Sequence, residues 1–156
     1  MYRQVFLPLA AALTITGCAS AAFAHGDEKH FAAGKPGNPD DKSRTVEIVM
    51  KEGDGTMAFA PDRVEVKRGE QIHFVIKNAG ELKHEFMLAT LEENAKHGKL
   101  MEKFPDMEHD DPNGKTLESG KSAEMFWKFT KAGTFEFACL VPGHHQAGMH
   151  GLVIVK

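Results

Sequence analysis

Residues 139–149 read Cys-Leu-Val-Pro-Gly-His-His-Gln-Ala-Gly-Met, and strand-like sequence flanks them on both sides. This segment carries a thiol, an imidazole and a thioether on Cys139, His144 and Met149. The Pro-Gly pair provides the sharp turn that returns the chain toward the cysteine, because proline fixes φ and glycine tolerates positive φ. Two imidazoles, one thiolate and a weak axial thioether are the ligands of electron-transfer copper sites. The segment therefore predicts three of the four ligands of a copper site.

The second imidazole has to come from an earlier strand. His84 stands in Leu-Lys-His-Glu-Phe, where it shares one face of an alternating segment with Phe86 and Leu88. We predict that His84 completes the ligand set. His145 adjoins His144, and the spacing alone allows either imidazole of this pair to bind the metal.

The segment around the loop resembles a known family. Cys-x4-His-x4-Met, preceded by Gly-Thr-Phe-Glu-Phe-Ala and followed by Gly-Leu-Val-Ile-Val, resembles the C-terminal signature of the cupredoxins, with the loop length of rusticyanin. His84-Glu85-Phe86, the 105–112 segment and the histidine-containing start of the chain resemble the periplasmic copper-tolerance cupredoxins. The resemblance covers nearly all of the chain beyond its N-terminal leader.

This resemblance implies a type 1 copper ion held by His84, Cys139, His144 and Met149. It favours His144 over His145, because the ligand position of the family aligns with Pro-Gly-His. One departure concerns the residue after the first histidine, which is Asn in many cupredoxins and is Glu85 here. This change affects the hydrogen bonding around the thiolate, and so the reduction potential.

The first 24 residues are typical of an export signal. Arg3 precedes an apolar run that is too short to span a bilayer, and Ala-Phe-Ala at 22–24 forms a cleavage site before His25. An alternative is the lipobox-like Ile-Thr-Gly-Cys, which would make Cys18 the lipidated first residue. We expect a periplasmic protein, anchored to a membrane only if Cys18 is lipidated.

Cysteine content and charge narrow the function further. Cys18 is either removed or lipidated, so Cys139 is an unpaired thiol in an oxidising compartment, and a bound metal explains it. The 156 residues carry a net charge of −3 without a basic patch, which argues against nucleic-acid binding. We expect a monomer whose partner is a redox or copper-handling protein of the periplasm.

Residues 25–43 are rich in Gly, Pro, Asp and Lys without apolar periodicity, which predicts a mobile arm. His25 and His30 in this arm are candidates for binding a second copper ion. Residues 44–156 form the predicted cupredoxin domain.

Short alternating segments at regular intervals predict an all-β fold, a Greek-key β-sandwich of about seven or eight strands. Thr90-Leu-Glu-Glu93 is a capping box, so residues 91–103 are predicted to form a short helix inserted between strands, with Pro105 after its end. An apolar stripe on this helix is expected from Leu91, Ala95, Leu100, Met101 and Phe104.

The other histidines and methionines have weaker signals. His73 falls on the polar side of its strand and is predicted to be a surface residue. His109 in an acidic loop, His145 and His150 are candidates for auxiliary metal ligands, although a solvated acidic loop is the favoured interpretation for His109 and a rim position for His150. Met87, Met101 and Met107 are interpreted as core residues.

Enzyme classes find little support. Multicopper oxidases and copper nitrite reductases have a His beside the ligand cysteine, whereas Ala138 and Leu140 flank Cys139 here. Four protein ligands leave no open position for substrate. A Cys-His enzyme remains a remote alternative that leaves Met149 unexplained. Two hypotheses follow: a copper-tolerance protein with a redox-active Cu(I)/Cu(II) site, which we favour, and a soluble electron carrier of a respiratory or oxidative chain.

Overall fold

The alternating segments form the strands of two packed five-stranded sheets. The computed structural model describes residues 31–105, 107 and 111–156. The first sheet has the order β1-β8-β5-β2-β3, and its strands are β1 Lys35–Pro36, β2 Arg44–Gly53, β3 Thr56–Ala60, β5 Gln71–Asn78 and β8 Ser122–Lys128. The second sheet has the order β4-β10-β9-β6-β7, and its strands are β4 Arg63–Val66, β6 His84–Ala89, β7 Gly114–Leu117, β9 Gly133–Ala138 and β10 His150–Val155. The helix α1 Leu91–Lys103 follows β6.

The chain changes sheets repeatedly along its length. β2 pairs in parallel with β5, and β10 pairs in parallel with β4, while the other strand pairs are antiparallel. Consecutive strands therefore lie in different sheets at several points, for example β5 and β6 or β8 and β9. This topology places β6 beside β9, although the two strands are far apart in sequence, and β10 on the other side of β9. The predicted all-β sandwich with one inserted helix is confirmed.

Aromatic side chains fill the space between the sheets. Phe86 and Phe137 stack with ring centroids 5.3 Å apart, and Phe59 packs edge-on against both. Aromatic pairs of this kind stabilise a core by about 0.5–1.5 kcal/mol beyond the area they bury. Cys139 and Met149 belong to the same buried cluster. Two of the four predicted ligands are thus part of the hydrophobic core.

Two strands lack a clear sequence signal. β1 has only two residues and β7 four, and each is an edge strand. These two strands account for the difference between the ten strands found in the described residues and the seven or eight expected ones. Their pairing depends on neighbours that are distant in sequence, so local alternation does not reveal them.

The structure differs from the expected mobile arm from Phe31 onward. The Phe31 ring packs edge-on against Trp127 at 5.3 Å, and the Trp127 indole donates a hydrogen bond to the Ala33 carbonyl at 3.0 Å. Ala33 is fully buried, and Lys35–Pro36 pair with β8. This segment is held because it covers an aromatic core residue. His25 and His30 lie outside the described residues.

The helix has the predicted bounds and the predicted capping box, in which the Thr90 hydroxyl accepts from the Glu93 N–H at 3.1 Å. The predicted apolar stripe is wrong: Leu91, Leu100 and Phe104 are exposed, and the buried positions of the helix are Asn94 and Met101. Asn94 takes the inward position because its amide hydrogen-bonds to β9. Among the described residues, no helix is long and apolar enough to cross a membrane.

The helix covers the outer face of the second sheet. Met101 packs on Met87, Ala138 and Leu140 in a small second cluster, with Met107 against its side. Every residue of β6 is buried as a result, since one face meets the sandwich core and the other meets the helix. The interpretation as core residues is confirmed for Met87 and Met101, while Met107 is partly buried against them.

Candidate metal centre

The four predicted ligands lie at one end of the sandwich, on elements of the second sheet. His84 is the first residue of β6, and Cys139 directly follows β9. Met149 directly precedes β10, and His144 lies in the turn between β9 and β10. β6 and β9 are antiparallel neighbours, so the start of one strand adjoins the end of the other. The sheet therefore brings residues 84 and 139 together across 54 intervening positions of chain.

Backbone hydrogen bonds within the loop fix its shape. The Cys139 N–H donates to the Met149 carbonyl at 3.0 Å, and the Met149 N–H donates to the His144 carbonyl at 3.1 Å. The His144 N–H donates to the Val141 carbonyl at 3.0 Å. Gly143 closes this turn with a φ of 89°, a conformation that favours glycine. The three loop ligands are thus positioned by the chain itself.

The donor atoms converge on a common point. His84 Nδ1 lies 3.2 Å from His144 Nδ1, and Cys139 Sγ lies 3.3 Å from His144 Nδ1 and 4.0 Å from His84 Nδ1. The point equidistant from these three atoms is about 2.1 Å from each, in the range of metal bonds to imidazole and thiolate, about 2.0–2.3 Å. The side chains of all three residues are buried, with His144 9% exposed. The triangle has the size that a metal ion requires.

The chemistry of the donors selects copper. Met149 is fully buried beside Cys139 in the core cluster, so the fourth group available to the ion is a thioether. Thioether and thiolate ligands favour copper, and imidazole binds it in both oxidation states. His84, Cys139, His144 and Met149 form a type 1 copper-like site.

Burial shifts the pKa values of two ligand side chains and so sets their protonation states. Burial raises the pKa of the Cys139 thiol to about 12, although N–H groups of Glu85 and Val141 that donate to the sulfur act in the opposite direction. Burial, together with the charge of His84, lowers the pKa of His144. The metal-free site therefore holds a thiol and a neutral His144 imidazole, so binding of copper as a thiolate complex releases the thiol proton.

Glu85, which stands where many cupredoxins have Asn, contacts both the ligand sulfur and the chain that follows it. Its N–H donates to Cys139 Sγ at 3.3 Å, and its carboxylate oxygen accepts from the Leu140 N–H at 3.3 Å. Glu85 is 3% exposed, and burial raises the pKa of its carboxyl to about 7 in spite of the Leu140 hydrogen bond. The residue links β6 to the start of the loop.

Glu52 is a residue of the site that the sequence did not indicate. Its carboxylate accepts hydrogen bonds from the N–H groups of Leu82 and Glu81 at 2.7 and 3.1 Å. Its Oε1 lies 3.0 Å from His84 Nε2, an ion-pair distance, although the pair does not meet the geometry of a hydrogen bond. Partial burial raises the pKa of Glu52, but the Leu82 and Glu81 hydrogen bonds and the charge of His84 outweigh it and lower that pKa. Glu52 therefore faces the rear nitrogen of a ligand histidine as a carboxylate.

The site and the fold agree with the comparisons to known proteins. Residues 46–156 match the family described as copper binding proteins, plastocyanin/azurin family. The chain belongs to this cupredoxin family. The cupredoxin is 42% identical, over 99% of its length and 96% of the relative's, to the Rubrivivax gelatinosus protein named copper-resistant cuproprotein CopI. It is 38% identical, over 100% of its length and 99% of the relative's, to the Pseudomonas aeruginosa protein of the same name.

A solved structure shows the same fold. Auracyanin B superposes with a TM-score of 0.62 at 20% identity, covering 80% of this cupredoxin and 96% of the auracyanin chain. The resemblance inferred from residues 139–149, the copper loop, is thus confirmed at the level of both family and fold.

The remaining predicted histidines are found in three situations. His73 lies on the outer side of the first sheet, stacked on Phe126 at 4.2 Å with its Nε2 3.0 Å from Glu124 Oε2, which confirms it as a surface residue outside the copper site. His145 and His150 lie together beside Glu136, on the far side of β9 from Cys139. His109 and the acidic part of its loop lie outside the described residues.

Proposed function

We propose that this cupredoxin is a type 1 copper protein that serves copper tolerance, binding copper in a site that cycles between Cu(I) and Cu(II). The convergence of two imidazole nitrogens and one sulfur within 4.0 Å of one another carries the proposal. The two relatives named copper-resistant cuproprotein support the tolerance role, because the similarity extends over nearly the whole of each chain.

Copper, when bound, supplies one-electron chemistry between Cu(I) and Cu(II). The residues of the chain keep the ligand positions nearly constant during this change. Loop hydrogen bonds hold Cys139, His144 and Met149, and burial in the core keeps water away from the sulfur. His144 is the most exposed of the four ligands, so its imidazole is the nearest route for an electron to reach the surface.

We further propose that the protein is not an enzyme. Ala138 and Leu140 flank Cys139, so the chain offers no neighbouring histidine to carry electrons from this site to another copper. The four buried donors also leave no open position at which a substrate could bind the ion.

We extend the proposal to the location and partners of the protein. Residues 1–24 direct export, and the mature protein acts in the periplasm as a monomer that exchanges copper or electrons with another periplasmic protein. Mass measurement of the exported protein tests the N-terminus. A start at His25 supports cleavage after Ala24, whereas a lipidated start at Cys18 supports a membrane anchor.

Cys139→Ser provides the direct test of the site and its role. The substitution should abolish the intense thiolate-to-copper absorption, and it should fail to restore growth in copper to a strain that lacks the protein. His73→Gln is the matched control, because His73 lies on the outer side of the first sheet, and it should preserve both properties. Persistence of the absorption in Cys139→Ser would contradict the site assignment.

The growth assay also distinguishes the second candidate, a soluble electron carrier. His144, at 9% the most exposed of the four ligands, favours this role, because electron transfer needs one ligand near the surface. Under this alternative, Cys139→Ser should slow a respiratory or oxidative chain while copper tolerance stays unchanged.

A further inference from the structure

A second group of metal-binding side chains lies on the outer face of β9. One donor atom from each of Glu136, His145 and His150 lies within 4.8 Å of the others. We propose that these three residues form a separate Cu(II) site, beside the type 1 site and open to solvent. This proposal rests on Glu136, His145 and His150, the outer cluster, alone and does not require the type 1 assignment.

Strand register places two of the ligands together. Glu136 on β9 is opposite Leu152 on β10, and His150 is opposite Ala138. Alternate residues share a face, so Glu136 and His150 are diagonal neighbours on the same side of the sheet. Phe137 and Cys139 point to the other side, into the core. The strand therefore separates the outer cluster from the type 1 ligands.

The buried Glu136 carboxylate has one oxygen hydrogen-bonded to Asn94 and the other beside the His145 imidazole. Its side chain is only 7% exposed. Asn94 Nδ2 donates to Glu136 Oε2 at 3.0 Å, and Glu136 Oε1 lies 3.2 Å from His145 Nε2. Burying a carboxylate is unfavourable unless a cation or several hydrogen bonds compensate its charge. The arrangement leaves Oε1 positioned for a cation at the edge of the helix.

The two imidazoles approach Oε1 from the solvent side. Their rings are stacked, with centroids 4.8 Å apart and an angle of 22° between the planes. The His145 side chain is 41% exposed and His150 is exposed, so both rings can turn without disturbing the core. Donors bound at about 2.0–2.2 Å lie about 3 Å apart, so closure of the site needs ring movements of about 1–2 Å.

The donor set indicates which metal binds. Two imidazoles and a carboxylate, with water at the remaining positions, suit the tetragonal geometry of Cu(II), and Cu(II) binds such ligands more tightly than the other divalent first-row ions do. The outer cluster contains no sulfur ligand, whereas the type 1 site has two. The two sites should therefore differ in spectrum: strong thiolate absorption for the inner site, and only a tetragonal electron paramagnetic resonance signal for the outer one.

The sequence links the two sites closely. His145 follows His144, and His150 follows Met149. An ion in the outer cluster would therefore join β9, the copper loop and the start of β10 through their side chains. This places capture of excess Cu(II) at the surface directly behind the loop that holds the type 1 copper.

The test is a copper titration of the full exported chain and three variants, His145→Gln, His150→Gln and His73→Gln. The wild type should take up Cu(II) beyond the type 1 equivalent, with a tetragonal resonance signal. His145→Gln and His150→Gln should keep the type 1 absorption and lose that uptake, or weaken it at least about tenfold, since even loss of an outer-sphere partner weakens metal binding by 10–100-fold. His73→Gln also removes a histidine paired with a glutamate, and it should behave as wild type.

His25 and His30 offer a competing source of tetragonal Cu(II), and a double substitution of both by Gln measures it. The proposal requires that the uptake lost in His150→Gln survives this double substitution. Equal tetragonal uptake in wild type, His145→Gln and His150→Gln would overturn the outer site. Absence of thiolate absorption in the wild type would instead contradict the type 1 site, while a tetragonal signal dependent on His150 would still support the outer one.

Discussion

The two faces of β9 carry two metal-binding clusters that differ in how far their donor atoms are preorganised for a metal ion. On the inner face, the donors of Cys139, His84 and His144 lie within 4.0 Å of one another and are buried. On the outer face, the donors of Glu136, His145 and His150 spread over as much as 4.8 Å, and the two imidazoles reach solvent. A buried, closed set resists changes in geometry, whereas an open set exchanges its ion more easily. One strand can therefore present a fixed redox site and an exchangeable site at the same time.

The outer face of the second sheet carries two buried glutamates, Glu136 and Glu85, whose surroundings differ, and this difference should appear in the pH dependence of stability. The Glu136 carboxylate has Asn94 and His145 as partners, whereas the Glu85 carboxylate accepts a hydrogen bond from the Leu140 backbone N–H. Burial raises the pKa of Glu85 to about 7 from 4.5. The folded state therefore binds this proton more tightly than the unfolded state does. Its contribution to stability is complete below pH 4.5 and is lost as the pH rises through about 7.

We expect the free energy of unfolding of the copper-free protein to fall by about 3 kcal/mol over this range through Glu85, since one pKa unit corresponds to about 1.4 kcal/mol. Glu85→Gln should remove that loss. The lowered pKa of His144 acts in the opposite direction, so the difference between variant and wild type is the quantity to measure, by urea unfolding at pH 4.5, 6 and 8. Glu47→Gln, at an exposed strand position, is the control for loss of a charge. Parallel pH profiles for wild type and Glu85→Gln would contradict the raised pKa.

Metal binding on the inner face depends on the carboxylate of Glu52, which faces Nε2 of the ligand His84. Glu52→Gln should weaken copper binding by about 10–100-fold, because the carboxylate orients His84 and increases the basicity of its imidazole. Competition with a copper chelator measures the change, and the thiolate absorption should remain, since Cys139 is untouched. Glu124→Gln, which removes the carboxylate beside His73 on the first sheet, is the matched control. An unchanged affinity in Glu52→Gln would show that the 3.0 Å contact with His84 has no role in metal binding.

Substitution of Met149 tests whether the inner site has a second sulfur ligand besides the Cys139 thiolate. Met149→Leu should keep copper bound and raise the reduction potential, because loss of the axial ligand favours Cu(I). A rise of about 60 mV corresponds to a tenfold change in the relative affinity for the two oxidation states. Voltammetry of wild type and variant measures it. Met125→Leu, a buried methionine of β8 in the first sheet, controls for the change in core packing. The same potential in Met149→Leu and wild type would remove Met149 from the ligand set.

The smallest expected effect concerns the helix that supports the outer face. Thr90→Ala should lower the free energy of unfolding by about 1 kcal/mol, because it removes the side chain that caps the helix. It should not alter the thiolate absorption, since the inner ligands lie on β6 and on the copper loop. Urea unfolding of the copper-loaded protein provides the measurement, and Thr45→Ala on β2 serves as the control. A shift in the absorption band would show that the helix influences the inner site.

The sequence predicted the inner site well because its ligands follow a local pattern. Cys139, His144 and Met149 lie in one loop with fixed turn residues, and His84 then follows from strand alternation. The helix was predicted with its bounds, because the capping box is also a local signal.

The other contacts depend on tertiary structure. Glu52 meets His84 only because β2 and the segment before β6 come together in the fold. Glu136 is an ordinary polar position in an alternating strand, and only the covering helix buries it. The buried face of the helix was predicted wrongly for the same reason, since Asn94 is selected by a hydrogen bond to β9 and not by hydrophobicity.

The contact between the N-terminal segment and Trp127 gives the protein an internal optical reporter. Trp127 is the single tryptophan of the chain, it is fully buried, and its indole N–H is bonded to the Ala33 carbonyl. Release of the segment from the first sheet would break this bond and admit water to the ring. The fluorescence of one residue would then move to longer wavelength, and it would follow the detachment of the segment separately from the absorption of the copper site.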